Sequence, residues 1–183
     1  MFLDVIYIAA ILLVAGLTIY AAIEARSVQV TRREIWTPRL PAAFDGFTIM
    51  HISDLHLRGG KSFATIVEEA IRGVEADMVA ITGDVAYSRK GLPRFESILS
   101  TLREFSSNAP ILACTGNGEI IYRRVGEGTQ AAVEQAGGKM LRNENAQVDR
   151  GNGNCIYILG VDDPFTKSDD LNRALSCVPE EAL

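Results

Sequence analysis

FTIMHISDLHL, residues Phe47 to Leu57, decides how this chain reads. Phe47–Ser53 is an apolar run of strand length, and it ends at two polar side chains, Asp54 and His56. The elements that follow alternate. Ser62–Ala76 carries Phe63, Ile66, Val67, Ala70, Ile71 and Val74 at helical spacing, with Ser62 placed to cap the helix. Met78–Thr82 reads as a short strand, PRFESILSTLREF from Pro93 as a helix with proline in its first turn, and Pro110–Thr115 as a third strand. TQAAVEQA is a short helix closed by Gly137 and Gly138. Further strands are expected near Lys139–Leu141 and Cys155–Val161, and a last helix over Ser168–Cys177. Strand and helix in strict alternation predict an α/β domain built on a parallel sheet.

In open α/β sheets, ligands sit beyond the carboxyl ends of the strands. Those positions hold Asp54 and His56 after the first strand, then Gly83 and Asp84 in ITGDVAYS. After the third come Gly116, Asn117, Gly118 and Glu119 in CTGNGE. Each is ordinary taken singly, because Asp, Asn and Gly are turn residues. Together, three consecutive strands deliver carboxylate, amide and imidazole groups to one edge of one sheet. That donor set suits a divalent ion such as Mn, Fe or Zn. His51 lies inside the first strand and reads as a packed strand residue.

The order Asp-x-His, Gly-Asp, Gly-Asn resembles the calcineurin-like metallophosphoesterases. The resemblance covers about Phe44–Pro179. It includes the lead-in LPAAFDGFTIMHISDLHL and the later ILGVDDPF, which look like the membrane-associated bacterial branch of that family. It implies a four-layer α/β/β/α sandwich. It also implies two divalent ions (Mn, Fe, Zn or Mg) and hydrolysis of a phosphate ester or pyrophosphate. Carried over by position, Asp54 and His56 hold the first ion, Asp84 bridges both, and Asn117 holds the second. A bridging carboxylate makes physical sense, because two neighbouring dications repel.

The chain departs from the family pattern at Gly118, where the family has a histidine that helps the leaving oxygen depart. Losing such a group costs about 10²–10⁴-fold in rate. The family also uses a later lone histidine and a Gly-His-x-His motif, whereas this chain has two histidines, His51 and His56. It stops at PEEAL, about where the strand carrying the next histidine would begin. The expectation is an incomplete sandwich, with at most one ion well bound and feeble or absent turnover. An exposed sheet edge and apolar patches should accompany it. The alternative is a non-catalytic, membrane-anchored remnant that binds a phosphate ligand or a protein partner.

Val5–Ile23 carries no charge, and nineteen residues of helix span about 28 Å, close to the apolar core of a bilayer. No polar stripe marks it as a buried soluble helix. No Lys or Arg precedes it, as a signal peptide would require. It is expected to be a retained single-pass anchor, residues 1–25, followed by a linker over 26–43 and the phosphoesterase-like domain over 44–183. Part of the linker alternates and could form an edge strand. Arg26, Arg32 and Arg33 follow the anchor and Asp4 precedes it, which places the domain in the cytoplasm. The net charge of -5 over 183 residues disfavours a nucleic-acid partner. A phosphorylated small molecule or lipid-linked substrate remains. Cys114, Cys155 and Cys177 form no pair with metal or disulfide spacing, and Cys114 is expected in the core.

Three rival motifs fail on spacing. Gly60-Lys61-Ser62 resembles the end of a P-loop, but its first glycine position is Leu55. GEGTQA, Gly126–Ala131, follows the third strand instead of the first, and reads as a glycine-rich lead into a helix. Asp162-Asp163 and Asp169-Asp170 lack the spacing of a calcium loop. They read as a turn and a helix start.

Overall fold

A computed structural model describes residues 2–60 and 62–182, with side chains placed for all of them but Phe2, Leu3, Ser62 and Glu181. The expected Ser62 cap therefore lies outside the described side chains. The chain divides into two units, Met1–Thr31 and Arg32–Leu183.

The first unit is one helix, α1, Phe2–Glu24, and residues 4–27 are exposed throughout. It is long and apolar enough to cross a membrane. Its one threonine hydroxyl, Thr18 Oγ1, donates back to Val14 O at 2.8 Å, so the helix satisfies it without water.

The second unit alternates as the apolar runs dictate: β1 Ile49–Ile52, α2 Ser62–Ile71, β2 Met78–Ile81, α3 Leu92–Phe105 and β3 Ile111–Ala113. Then come α4 Asn117–Ile121, α5 Arg123–Gln135, β4 Lys139–Met140, β5 Glu144–Asp149, β6 Cys155–Gly160 and α6 Leu171–Ala174. Strands β1 to β4 make one parallel sheet in sequence order, with Ile49 opposite Met78 and Val79 opposite Ile111. Strands β5 and β6 form a separate antiparallel pair, Glu144 opposite Gly160.

Side chains alternate across a strand. Met78 and Leu112 therefore join Phe44, Leu141 and Val148 in one apolar cluster, with Ala146, Ile156 and Ile158 of the hairpin packed against it. Val79, Ile81 and Ile111 turn to the opposite face and are fully buried. Helix α3 closes its own apolar stripe with Phe95, Ile98, Leu99 and Leu102, all buried. The mixed α/β domain with a parallel sheet is thus present, with a second sheet beside it.

Several local expectations are corrected. Helix α2 ends at Ile71 because Gly73 takes φ 74°, so the periodicity through Ala76 overruns the element. The linker forms no strand over residues 27–36. GEGTQA is no lead-in: it lies inside α5, and Gly126 is there because a Cβ would sit 2.4 Å from Glu119 O. The final helix shrinks to four residues started by the Asp170 carboxylate, which accepts from Arg173 N. Strand β5 was not foreseen, since ENAQVD offers just two apolar residues, Ala146 and Val148, too short an alternation to mark a strand. His51 is exposed rather than packed, and its Nε2 lies 2.8 Å from Thr82 Oγ1. Ile49, two residues earlier on the same face of the edge strand β1, is 47% exposed as well, so that face lies open to solvent around His51.

Candidate metal centre

Beyond Ile52 the chain keeps bonding to the loop after β2. Asp54 N donates to Gly83 O (3.2 Å), His56 N to Asp84 O (2.8 Å) and Leu57 N to Val85 O (2.9 Å). Tyr87 N returns a bond to Leu57 O at 2.9 Å, and Leu57 bridges Ala86 in parallel. The two strand-end loops therefore run side by side, which sets Asp54 and His56 against Asp84.

All three take the left-handed conformation: Asp54 at φ 55°, His56 at 44° and Asp84 at 52°. Such backbone costs about 1–3 kcal/mol per residue outside glycine and gathers at functional sites. They are three of seven such residues described in the chain, and they stand on one sheet edge. The conformation aims the side chains together. One ligand atom from each lies within 4.8 Å of the others. His56 Nε2 is 3.9 Å from Asp54 Oδ1. Asp54 and His56 are exposed and Asp84 is half-buried, so an ion from solvent has access. Ser53 Oγ donates to Asp54 Oδ2.

The third loop braces the second. Glu119 is 3% exposed, and its carboxylate accepts from Asp84 N at 2.7 Å, Val85 N at 3.0 Å and Gly116 N at 3.0 Å. It fixes the backbone that carries Asp84. Sequence reasoning quoted Glu119 and gave it no role. The signal was present, because a glutamate three residues after the residue that caps a helix reaches back to the cap. Gly83, at φ 84°, would place a Cβ 2.0 Å from Gly116 N, so the two turns touch backbone to backbone.

Asn117 opens α4 and is half-buried. Next to it, Gly118 N donates to Asp84 Oδ1 at 2.8 Å, and a Cβ on Gly118 would stand 2.6 Å from that oxygen. Any side chain here, histidine included, would have to displace the Asp84 carboxylate from its present rotamer.

Three of the acidic residues in the Asp-Asp pairs, Asp162, Asp163 and Asp170, have partners inside the protein. Asp162 is 4% exposed and takes bonds from Thr115 Oγ1 and from Arg142 Nε and Nη2, at 3.2 and 3.1 Å for the guanidinium. Asp163 accepts from Thr166 N and Asp170 from Arg173 N. Asp163 and Asp170 are turn and cap carboxylates, as expected, whereas Asp162 is a buried partner of Thr115 and Arg142. Cys114, beside this cluster, is held above its ordinary pKa, first by burial and then by the charges of Asp162 and Glu119.

The sequence profile of the calcineurin-like phosphoesterases matches residues 47–174. The chain belongs to the calcineurin-like phosphoesterase family. It is 23% identical over 124 residues to the uncharacterized metallophosphoesterase YkoQ of Bacillus subtilis, covering 67% of this chain and 46% of that protein. It is 24% identical over 157 residues to the uncharacterized metallophosphoesterase YkuE of the same organism, covering 84% and 54%. A zebrafish (Danio rerio) transmembrane protein with metallophosphoesterase domain is 26% identical over 159 residues, covering 84% of this chain and 36% of that protein. The chain spans about half the length, or less, of these curated relatives. The family uses divalent metals, and Asp54, His56 and Asp84 form a donor set that could hold one.

Proposed function

We propose that this calcineurin-like phosphoesterase chain carries the first half of a metal-dependent phosphate-ester hydrolysis site, impaired as it stands. Asp54, His56 and Asp84 would hold one divalent ion. Asp84 and Asn117 supply too few donors for a tight second. When bound, such ions supply Lewis acidity toward a phosphoryl oxygen and a water nucleophile at neutral pH.

The chain's own residues do the rest. Asp84 keeps one oxygen bonded to Gly118 N and leaves the other for a cation. His56 must offer a neutral ring nitrogen to bind. Glu119 keeps the Asp84 turn in place. No imidazole stands at position 118 to protonate a leaving oxygen, and that weakens turnover more than ion binding. The membrane helix makes a lipid-linked phosphate a natural substrate class, and the arginines after it favour a cytoplasmic domain. The observation that carries this reading is the convergence of three left-handed residues, Asp54, His56 and Asp84, from two strand ends.

Calorimetric titration of the full chain in detergent with Mn²⁺ and Zn²⁺, beside Asp84→Asn, tests it. One weak site that Asp84→Asn removes is expected. Aryl-phosphate hydrolysis should fall at least about 10²-fold below that of a family enzyme with a complete acid–base set. Two tight sites with fast turnover would refute the impairment, and no metal uptake would refute the centre. Metal uptake with no hydrolysis favours the alternative, a non-catalytic phosphate-binding remnant, for which the bare Gly118 position is the motivating observation.

A further inference from the structure

Twelve consecutive residues between the apolar helix and the folded domain, 29–40, are all exposed. They read QVTRREIWTPRL. Ile35 and Trp36 are each 84% exposed, the highest values among the described large apolar side chains. A bare indole and a bare isoleucine side by side are costly in water, at about 25 cal/mol for each Å² of apolar surface that could have been buried. Arg26, Arg32, Arg33 and Arg39 make no ion pair among the described residues. From residue 26 to residue 44 the one acidic residue is Glu34, so this stretch is strongly cationic in a chain whose net charge is -5.

We propose that residues 26–40 lie along the surface of the bilayer that α1 enters. Trp36 and Ile35 would sit at the boundary between headgroups and acyl chains, and the arginines on the phosphates of anionic lipids. The inference rests on reading α1 as a membrane span. Three features support the occupant. The stretch is continuous with α1 in sequence. Its positive sign complements an anionic leaflet, and among the described residues none of its arginines is engaged by the acidic groups of the rest of the chain. Tryptophan with arginine is the pairing that bilayer interfaces select, the amphipathic ring at headgroup depth and the guanidinium in the phosphate layer. Pro38 keeps the segment from pairing as a strand, so its backbone stays free to be solvated at the interface.

Trp36 is the chain's single tryptophan, so its fluorescence reports this segment alone. The full chain is reconstituted into vesicles of phosphatidylcholine, alone or mixed with phosphatidylglycerol. Flotation tests α1, and Trp36 emission with acrylamide and brominated-lipid quenching tests the connector. The expected result is a chain that floats with both vesicles. Trp36 should be blue-shifted, shielded from acrylamide and quenched by brominated lipid, more so in the anionic mixture. Each arginine near an anionic surface is worth about fivefold in partition, so R32Q/R33Q/R39Q should lower interfacial occupancy about 100-fold and remove the lipid dependence. A chain that floats while Trp36 stays solvent-exposed overturns this proposal and leaves the anchor standing. Equal shielding in both lipids, unchanged in the triple variant, overturns it too. A chain that does not float overturns the anchor reading, and this inference with it.

Discussion

Two pairs of carboxylates follow strands of the same domain, Asp54, Asp84 and Glu119 after parallel strands and Asp162 after β6, and the pairs lead opposite lives. Glu119 and Asp162 are buried, and their oxygens are taken by backbone amides, a hydroxyl and a guanidinium. Asp54 and Asp84 are exposed or half-buried, and each has been given one protein donor from its neighbourhood, Ser53 Oγ and Gly118 N. A carboxylate whose lone pairs are filled by the fold is a structural part, and one with vacant lone pairs is available to a cation. The backbone tells the same story, because Asp54 and Asp84 stand in left-handed conformation while Glu119 sits in an unstrained helix turn.

The largest effect should come from the buried members. Glu119→Gln keeps the shape but turns an amide N–H toward backbone donors, leaving at least one amide of Asp84, Val85 or Gly116 without an acceptor. A loss of about 2–4 kcal/mol is expected from urea unfolding, given the strength of charge-assisted bonds. If the variant unfolds at the parent midpoint, Glu119 is no brace and the comparison fails. Asp162→Asn comes next. It weakens the pair with Arg142, whose side chain is 50% exposed and can turn to water, so the same assay should show a smaller loss of about 1–3 kcal/mol.

How far the sequence could foresee this contrast follows from what each residue's role depends on. The parallel order β1 to β3 was legible because apolar runs of strand length alternate with helical periodicity. Asp54, His56, Asp84 and Asn117 were legible as a set because they fall just past those strands. What distinguishes Asp84 from Asp162 was not legible, since it depends on which donors lie opposite in space. Asp162 meets Thr115 from 47 residues away. Strand β5 was missed because ENAQVD shows a single apolar alternation, Ala146 and Val148, and is otherwise held by its register with β6 and by Lys139 and Asn145 bonds. His51 was misjudged because a strand residue is packed only if something covers the strand, and β1 is an edge.

The open members should be nearly silent in stability. Asp84→Asn retains an acceptor for Gly118 N, and asparagine tolerates the left-handed backbone well. Metal-free unfolding should shift by less than about 1 kcal/mol, while metal uptake is lost. A large loss of stability would mean that Asp84 is a structural carboxylate like Glu119. Gly118→Ala is intermediate in logic and small in size. Its Cβ would press on the Asp84 oxygen, which is the end of a side chain and can swing away, so about 0.5–1 kcal/mol is expected from the lost amide bond.

The smallest effect offers the sharpest reading of where charge resides. Cys114 titrates above its ordinary value because burial disfavours its thiolate and because Asp162 and Glu119 repel it, in that order. Removing a negative neighbour must therefore lower its pKa, so alkylation of Cys114 should begin at lower pH in Asp162→Asn than in the parent. The shift should be smaller in Glu119→Gln, and Asp84→Asn should leave the profile where it was. Burial remains in every case, so the thiol should still react later than a free one. Exposed Cys177 serves as the internal reference when peptides are resolved by mass spectrometry. If the Cys114 profile ignores Asp162 and follows Asp84, the charge nearest the third strand belongs to the open pair, and the division between filled and vacant carboxylates has been drawn in the wrong place.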